Sequence, residues 1–374
     1  MALTFHRNTL SIDDLTLQIN FNAKGVEDME QRSTHLPAEW FPQSGVQLTW
    51  PHEQTDWAPM LDEVTDTYLR MALEIALQER LIIATPHPAE VEALLHQRLP
   101  ERAWRNISLH EAPTNDTWAR DHGALTLIGD TEPRLLDFQF NGWGKKFEAE
   151  KDNALTRALY NIGIIHGQYE SHLDFVLEGG SIESDGHGTL MTTSQCLLAP
   201  NRNQPLSRAD IEERLCRWLH AERVLWIDHG YLAGDDTDSH VDTLARFCPS
   251  DTIAYVQCTD PNDEHFEALQ LMEQQLRSFR TLNDEPYRLV PLPMAPARYD
   301  EGDRLPSTYA NFLFINDRVL MPTYGDRDLD EQARRQLAKA CPHHDIVGID
   351  CQSLIRQHGS LHCCTMQFPL GVIL

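Results

Sequence analysis

Apolar residues along this chain follow two spacings that take turns. From Trp57 to Gln78, the positions Met60, Leu61, Val64, Tyr68, Leu69, Met71, Ala72 and Ile75 recur every three or four residues, which predicts an amphipathic helix. Just before it, Val46-Gln47-Leu48-Thr49-Trp50 alternates apolar and polar residues and stops at Pro51, as a half-buried strand does. Leu81-Ile82-Ile83-Ala84 reads as the next strand, halted by Pro86, and a second helix is predicted around Ala89 to Gln97. A helix between two strands is the α/β rhythm.

The rhythm continues. Ala124–Ile128 and Arg134–Phe138 read as a strand pair joined by the turn Gly129–Pro133. Further strands are predicted at Thr189–Thr193, Arg223–Ile227, Thr252–Val256, Tyr287–Val290, Asn311–Ile315, Val319–Met321 and Asp345–Ile349. Helical spacing falls near Ala154–Leu159, Arg208–Leu219, His265–Leu276 and Asp330–Ala340. Asn316-Asp317 between two apolar runs is a hairpin signal. There is no low-complexity linker and no shift of composition, so residues 1–374 are expected to form a single α/β domain. No internal repeat is visible.

Composition narrows the partners. With 57 Asp+Glu against 31 Lys+Arg, the formal net charge is −26, which argues against nucleic acid and suits a small cation. The opening Met1–Arg7 leads into mixed polar sequence rather than a signal core, and no window has the length of a membrane span. The 8 cysteines include no CxxC pair. The cytoplasm, with its thiols kept reduced, is the expected compartment.

Four stretches carry candidate chemistry. His358-Gly359-Ser360-Leu361-His362-Cys363-Cys364 sets cysteine in a Gly/Ser turn beside histidines, the setting of a nucleophilic thiol. Asn115–Gly123 offers Trp118 and Asp121 as a wall and an anchor for a planar cation; a capped turn with a solvated Arg–Asp pair is the plainer alternative. Glu178 closes an apolar run before Gly179-Gly180, where backbone can approach a ligand, although a simple glycine turn reads the same way. In Asp235-Asp236-Thr237-Asp238-Ser239-His240-Val241-Asp242, His240 and Asp242 point the same way if the segment is extended. A metal centre is the rival here, but no HExxH, His-x-His or EF-hand spacing is present.

Together these groups suit a guanidinium. Its permanent charge and fixed fork of donors call for carboxylates on two sides. Converting it to a urea calls for a nucleophile at the central carbon and an acid for the departing ammonia.

In these motifs the chain resembles the agmatine deiminase and bacterial peptidylarginine deiminase-like family of guanidine-modifying enzymes. The matching pieces are Pro37–Trp40, Trp50-Pro51, Asn115-Asp116 with Trp118 and Arg120-Asp121, and Phe140–Gly144. They continue through Glu178–Gly180, Asn201–Asn203, Asp236–Asp242, Tyr324–Asp326 and His362-Cys363.

The resemblance implies a pentein fold, a five-bladed α/β propeller of ββαβ-type units. By position it makes Cys363 the nucleophile and His240 the general acid/base. Asp121 and Asp242 would grip the guanidinium, and Glu178 would orient His240 or substrate. Trp118 would wall the channel, with Asp236 and Asp238 on the substrate's far end. It implies neither metal nor cofactor, and hydrolysis of agmatine to N-carbamoylputrescine and ammonia, a step of polyamine biosynthesis.

The expected partner is a small cationic guanidino molecule, with no nucleic acid and no membrane; a homo-oligomer stays open. Ser239 stands where the family has glycine, and Cys364-Thr365-Met366-Gln367 replaces its usual Ile-Thr-Gln-Gln. Arginine, peptidylarginine and amidino transfer remain alternatives on the same fold. A metal hydrolase or an inactive binding protein would be rivals of another class.

Overall fold

Short runs of β-branched and apolar residues separated by helices dictate a set of small sheets rather than one large one. A computed structural model describes residues 34–129 and 131–374. The opening stretch Met1–Arg7, and Asp130 of the predicted turn, lie outside the described residues. The strands are β1 (Gln43–Thr49), β2 (Arg80–Thr85), β3 (Ile107–Glu111), β4 (Leu125–Leu127), β5 (Arg134–Gln139), β6 (Gln168–Val176), β7 (Ile182–Ser184), β8 (Thr189–Thr193) and β9 (Arg223–Ile227). They continue as β10 (Ala245–Cys248), β11 (Thr252–Gln257), β12 (Arg288–Pro293), β13 (Tyr299–Asp300), β14 (Asp303–Arg304), β15 (Leu313–Ile315), β16 (Arg318–Thr323), β17 (Asp345–Asp350) and β18 (Thr365–Pro369). Strands β13 and β14 form a separate hairpin.

Four sheets repeat one plan: β4-β5-β6, β7-β8-β9, β10-β11-β12 and β15-β16-β17. In each, the first two strands are antiparallel and the second and third parallel. A parallel pair needs a long crossover, and each crossover here carries a helix: Leu155–Asn161, Arg208–Leu219, Phe266–Ser278 and Arg327–Ala340. The remaining sheet, β18-β1-β2-β3, follows the plan with two differences, the first being a fourth strand, β3, parallel to β2. Its antiparallel first strand, β18, comes from the far end of the chain and pairs Leu48 with Thr365 and Val46 with Gln367. Five ββαβ units, closed by the last strand on the first, make the five-bladed α/β propeller that the resemblance implied.

The crossover helices form where the spacing placed them. In Leu61–Ala76, the residues Val64, Tyr68, Met71, Ala72 and Ile75 are buried against the sheet. In Arg208–Leu219, Ile211, Leu215 and Leu219 form a stripe at every fourth position, and a Ser207–Asp210 capping box satisfies the first turn. Each fully buried aliphatic side chain of this kind contributes roughly 1.5–3 kcal/mol. The core lies between these helices and their sheets, which leaves the first strands around the middle of the ring.

Candidate active site

Every first strand is entered through a short turn, and these turns bring the candidate residues together. Ala119–His122 leads toward β4, Gly179–Ser181 into β7, Val241–Thr243 toward β10 and His362–Cys364 into β18. The fifth turn, before β15, supplies Asn311, which is fully buried. Asp121, Glu178, His240, Asp242 and Cys363 are all buried there. His240 and Asp242 do not share an extended strand, because Val241–Thr243 is a 3-10 turn.

Gly180 is the pivot of this cluster. A Cβ there would fall 2.7 Å from His240 Nδ1, 2.9 Å from Asp121 Oδ1 and 3.1 Å from Asp242 Oδ2. Only a residue without a side chain lets the three groups converge. The Gly180 N–H donates to Asp121 Oδ1 at 3.0 Å, and Trp143 Nε1 donates to Asp121 Oδ2 at 2.9 Å. His240 Nδ1 stands 3.7 Å from Asp121 Oδ1. Burial pushes the Asp121 carboxyl up to about 6, against the pull of His240. Burial alone would discharge His240, but Asp121, Cys196 and Glu178 hold its pKa well above the ordinary imidazole value.

The Cys363 thiol donates to Asn311 Oδ1 at 3.4 Å, and the same oxygen accepts the His362 N–H at 2.9 Å and the Cys363 N–H at 3.3 Å. Burial, then Asp242 and Asp121, keep this thiol protonated well past its ordinary range. Cys364 faces the Tyr68 hydroxyl instead, and burial raises its thiol too. Asp242 Oδ2 accepts from His362 Nδ1 at 2.7 Å, while Asp242 Oδ1 is buried without a protein partner.

Above these groups lies a cavity of about 150 Å³ lined by Trp118, Trp143, Phe147, Gln357, His358 and Gly359 with the carboxylates of Asp56, Asp116, Asp121 and Asp236. No lysine or arginine is in that lining. Trp118 is braced from behind. Its Nε1 donates to Asp116 Oδ2 at 2.9 Å, and a Cβ on Gly359 would strike its ring at 2.2 Å. Burial raises Asp116 to about 6 despite donors from Trp57, Thr117 and Trp118. Asp236 is half-buried, and burial with Asp235 beside it raises its pKa.

Residues 35–369 match the Porphyromonas-type peptidyl-arginine deiminase family. The chain belongs to that family. A solved structure of a provisionally named arginine deiminase from Porphyromonas gingivalis is 50% identical, with a TM-score of 0.86 over 91% of this chain and 100% of that one. An agmatine deiminase of C. jejuni, solved with substrate bound, is 35% identical at a TM-score of 0.82 over 90% and 96%. A provisionally named agmatine deiminase of Marinomonas sp. is 32% identical over 89% of this chain and 94% of its own. This deiminase-family chain is a hydrolase of amidine C–N bonds on the pentein fold.

Asp238 departs from its expected place. Asp238 does not line the cavity; it receives Arg202 Nη1 at 2.6 Å and Lys146 Nζ at 3.0 Å. Glu178 gives both oxygens to Arg202 Nε, at 3.0 and 3.1 Å, and its charge also helps to raise the His240 pKa. Glu178, Cys196 and His240 offer ligand atoms within 4.8 Å of one another, a set that could hold a metal. The Arg202 guanidinium on Glu178 opposes a second cation there. Among the described residues, no helix is long and apolar enough to cross a membrane.

Sequence reasoning missed Asn311, Arg202, Trp143 and Glu39 as members of the site. A single amide inside the apolar run Tyr309–Ile315 was the available signal for Asn311. Arg202 stood within the matching piece Asn201–Asn203, but its partners, 24 and 36 residues away, could not be read from the sequence.

Proposed function

We propose that this chain hydrolyses agmatine to N-carbamoylputrescine and ammonia. The observation that carries the reading is the pairing of Asp121 with the unpartnered, buried Oδ1 of Asp242 beneath an acidic, aromatic mouth. A guanidinium entering past Trp118 would donate to both carboxylates, and its charge would sit beside Cys363. A cation at that point lowers a thiol's pKa, so substrate itself would drive off to solvent the proton that burial retains. The Cys363 sulfur would add to the central carbon. His240, held in its charged form, would give its proton to the departing nitrogen as ammonia leaves, forming a thiouronium on Cys363. Water, deprotonated by His240, would then add to the same carbon and expel the sulfur, which takes back a proton.

The far end of the substrate selects between amine and amino acid. Asp56, Asp116 and Asp236 around the mouth favour an ammonium. An α-carboxylate would meet like charge, with His358 the one basic residue in the lining and Lys146 held behind it on the Asp236 carbonyl and Asp238. Arginine or peptidylarginine is the second reading, favoured by the name that the 50% identical relative carries. We place the reaction in one catalytic domain in the cytoplasm, where the free cysteines would stay reduced. Ammonia release from agmatine, arginine and a blocked peptidylarginine tests the proposal. Agmatine should lead by at least about two orders of magnitude in kcat/KM, and comparable values would sink it.

A further inference from the structure

Behind the guanidinium pocket a chain of buried charges runs inward, and none of its inner members touches substrate in the reading above. Asp242 Oδ2 meets His362 Nδ1 at 2.7 Å, and His362 Nε2 meets Glu39 Oε2 at 2.7 Å. The same Glu39 oxygen receives Arg246 Nη2 at 2.8 Å, that nitrogen also lies 3.2 Å from His362 Nε2, and Arg120 Nη2 stands 3.8 Å from the oxygen. Glu39 Oε1 accepts the Phe314 N–H at 2.9 Å. Arg246 is fixed in turn by Glu183 and by the carbonyls of Ala310 at 3.2 Å and Phe312 at 2.5 Å. Each of these side chains is at most about a tenth exposed.

We propose that Glu39 acts through His362 to keep Asp242 ionised, which makes Glu39 a positioning residue for the guanidinium grip; the inference rests on the reading of the pocket just given. The argument is one of protons. A neutral imidazole has one N–H and one lone pair. If Nδ1 keeps its hydrogen for Asp242, a neutral ring would turn a lone pair toward a carboxylate oxygen at 2.7 Å. Burial alone would raise the Glu39 carboxyl, but His362, Arg246 and Arg120 hold it far below the usual carboxylate range, so it has no proton to offer. Both contacts are hydrogen bonds only if His362 is an imidazolium. Burial, then Arg120 and Arg246, pull that ring's pKa below the ordinary imidazole value; against them stand the two carboxylate contacts at 2.7 Å, which a neutral ring could not both make as hydrogen bonds.

The groups facing Asp242 are His362, His240, Arg246, Arg120, Asp121 and the Cys363 thiol. Of these, His362 alone is hydrogen-bonded to its carboxylate. Remove the Glu39 charge and His362 discharges; Asp242 then loses the cation on its inner oxygen and takes up a proton more readily. A protonated Asp242 no longer accepts two charge-assisted hydrogen bonds, and guanidinium affinity falls first at low pH.

Two measurements test this. Nitrogen NMR of the His362 ring in the intact protein should show both nitrogens protonated between about pH 6 and 8; one protonated and one bare nitrogen would overturn the proposal, whatever the enzyme turns over. In Glu39→Gln the acid limb of kcat/KM for agmatine should move up by about one pH unit, roughly a tenfold loss below it. A folded Glu39→Gln enzyme with its acid limb unmoved would overturn the proposal even if its melting temperature had dropped, since a merely structural role lowers stability without moving the limb. Should that variant not fold, the nitrogen spectrum decides. Wild-type protein that releases no ammonia from any guanidine would remove the deiminase reading and leave the spectrum of His362 to judge the relay.

Discussion

Arg202 holds Glu178 with its Nε centred between the two carboxylate oxygens, and neither side chain is exposed to solvent. The rest of the guanidinium reaches Asp238 and the Thr237 carbonyl, so one residue ties the turn before β7 to the loop that delivers His240. Breaking a buried pair strands a charge. Arg202→Met is therefore expected to lose about 3–5 kcal/mol of unfolding free energy, measured by urea titration. A loss under about 1 kcal/mol would mean that water or Lys146 replaces the guanidinium.

The two adjacent cysteines should behave oppositely. Cys363→Ala should abolish ammonia release, because its sulfur is the one that the Asp242 and Asp121 carboxylates both face. Cys364→Ala should keep most activity, because that thiol faces Tyr68. A dead Cys364 variant beside an active Cys363 variant would place the nucleophile one residue later.

Asp236 lines the mouth at a distance from the reacting carbon, so its contact should be equal in ground and transition states. Asp236→Asn is expected to raise KM for agmatine about tenfold while kcat changes little. Steady-state kinetics with unchanged KM would move the ammonium site elsewhere, to Asp56 or Asp116.

Asp152 makes a pH-dependent contribution whose sign can be read directly. Burial raises its carboxyl from 3.8 to about 7, although it accepts N–H groups from Asn115 at 2.7 Å and Asp116 at 3.0 Å. With the folded pKa above the unfolded one, the folded state holds the proton more tightly between about pH 4 and 7. Wild-type stability should accordingly fall relative to Asp152→Asn as pH rises through that window, by on the order of 1.4 kcal/mol per unit, and level off above it. A difference between the two proteins that is flat from pH 4 to 8 would contradict this.

Much of the helical layer was legible because its periods are long: Arg208–Leu219 forms over the predicted range. The repeat was not. Its first strands are brief and buried on both faces, as Ala245–Cys248 is throughout, so they carry no alternation to read. Strand β6 hid for the opposite reason. Glu170, His172 and Asp174 sit along it with most of the strand exposed or half-buried.

In the site, residue types pointed to His240, Asp121, Asp242 and the Cys363-Cys364 pair, the resemblance alone chose Cys363, and pairing stayed hidden. Sequence shows that Asp236 and Asp238 are both acids near His240. It does not show that Asp238 turns to Arg202 and Lys146 while Asp236 faces the cavity. Ser239 is a further case. Its φ of +65° is a left-handed geometry that glycine adopts freely. Asp235 holds it there by accepting the Ser239 N–H at 2.6 Å. An Asx-type contact does for serine what the family obtains from glycine.

The pairing of β18 with β1 sets when this molecule can begin to work. As the chain leaves the ribosome, the carboxylates and His240 emerge long before the sulfur, and β1 waits with one edge unpaired until the last strand arrives. The act that seals the ring also delivers the thiol. Half-made chains would lack both the Gln357–Gly359 wall of the cavity and the Cys363 thiol, so on the proposed reaction the nascent protein stays chemically silent until its fold is closed.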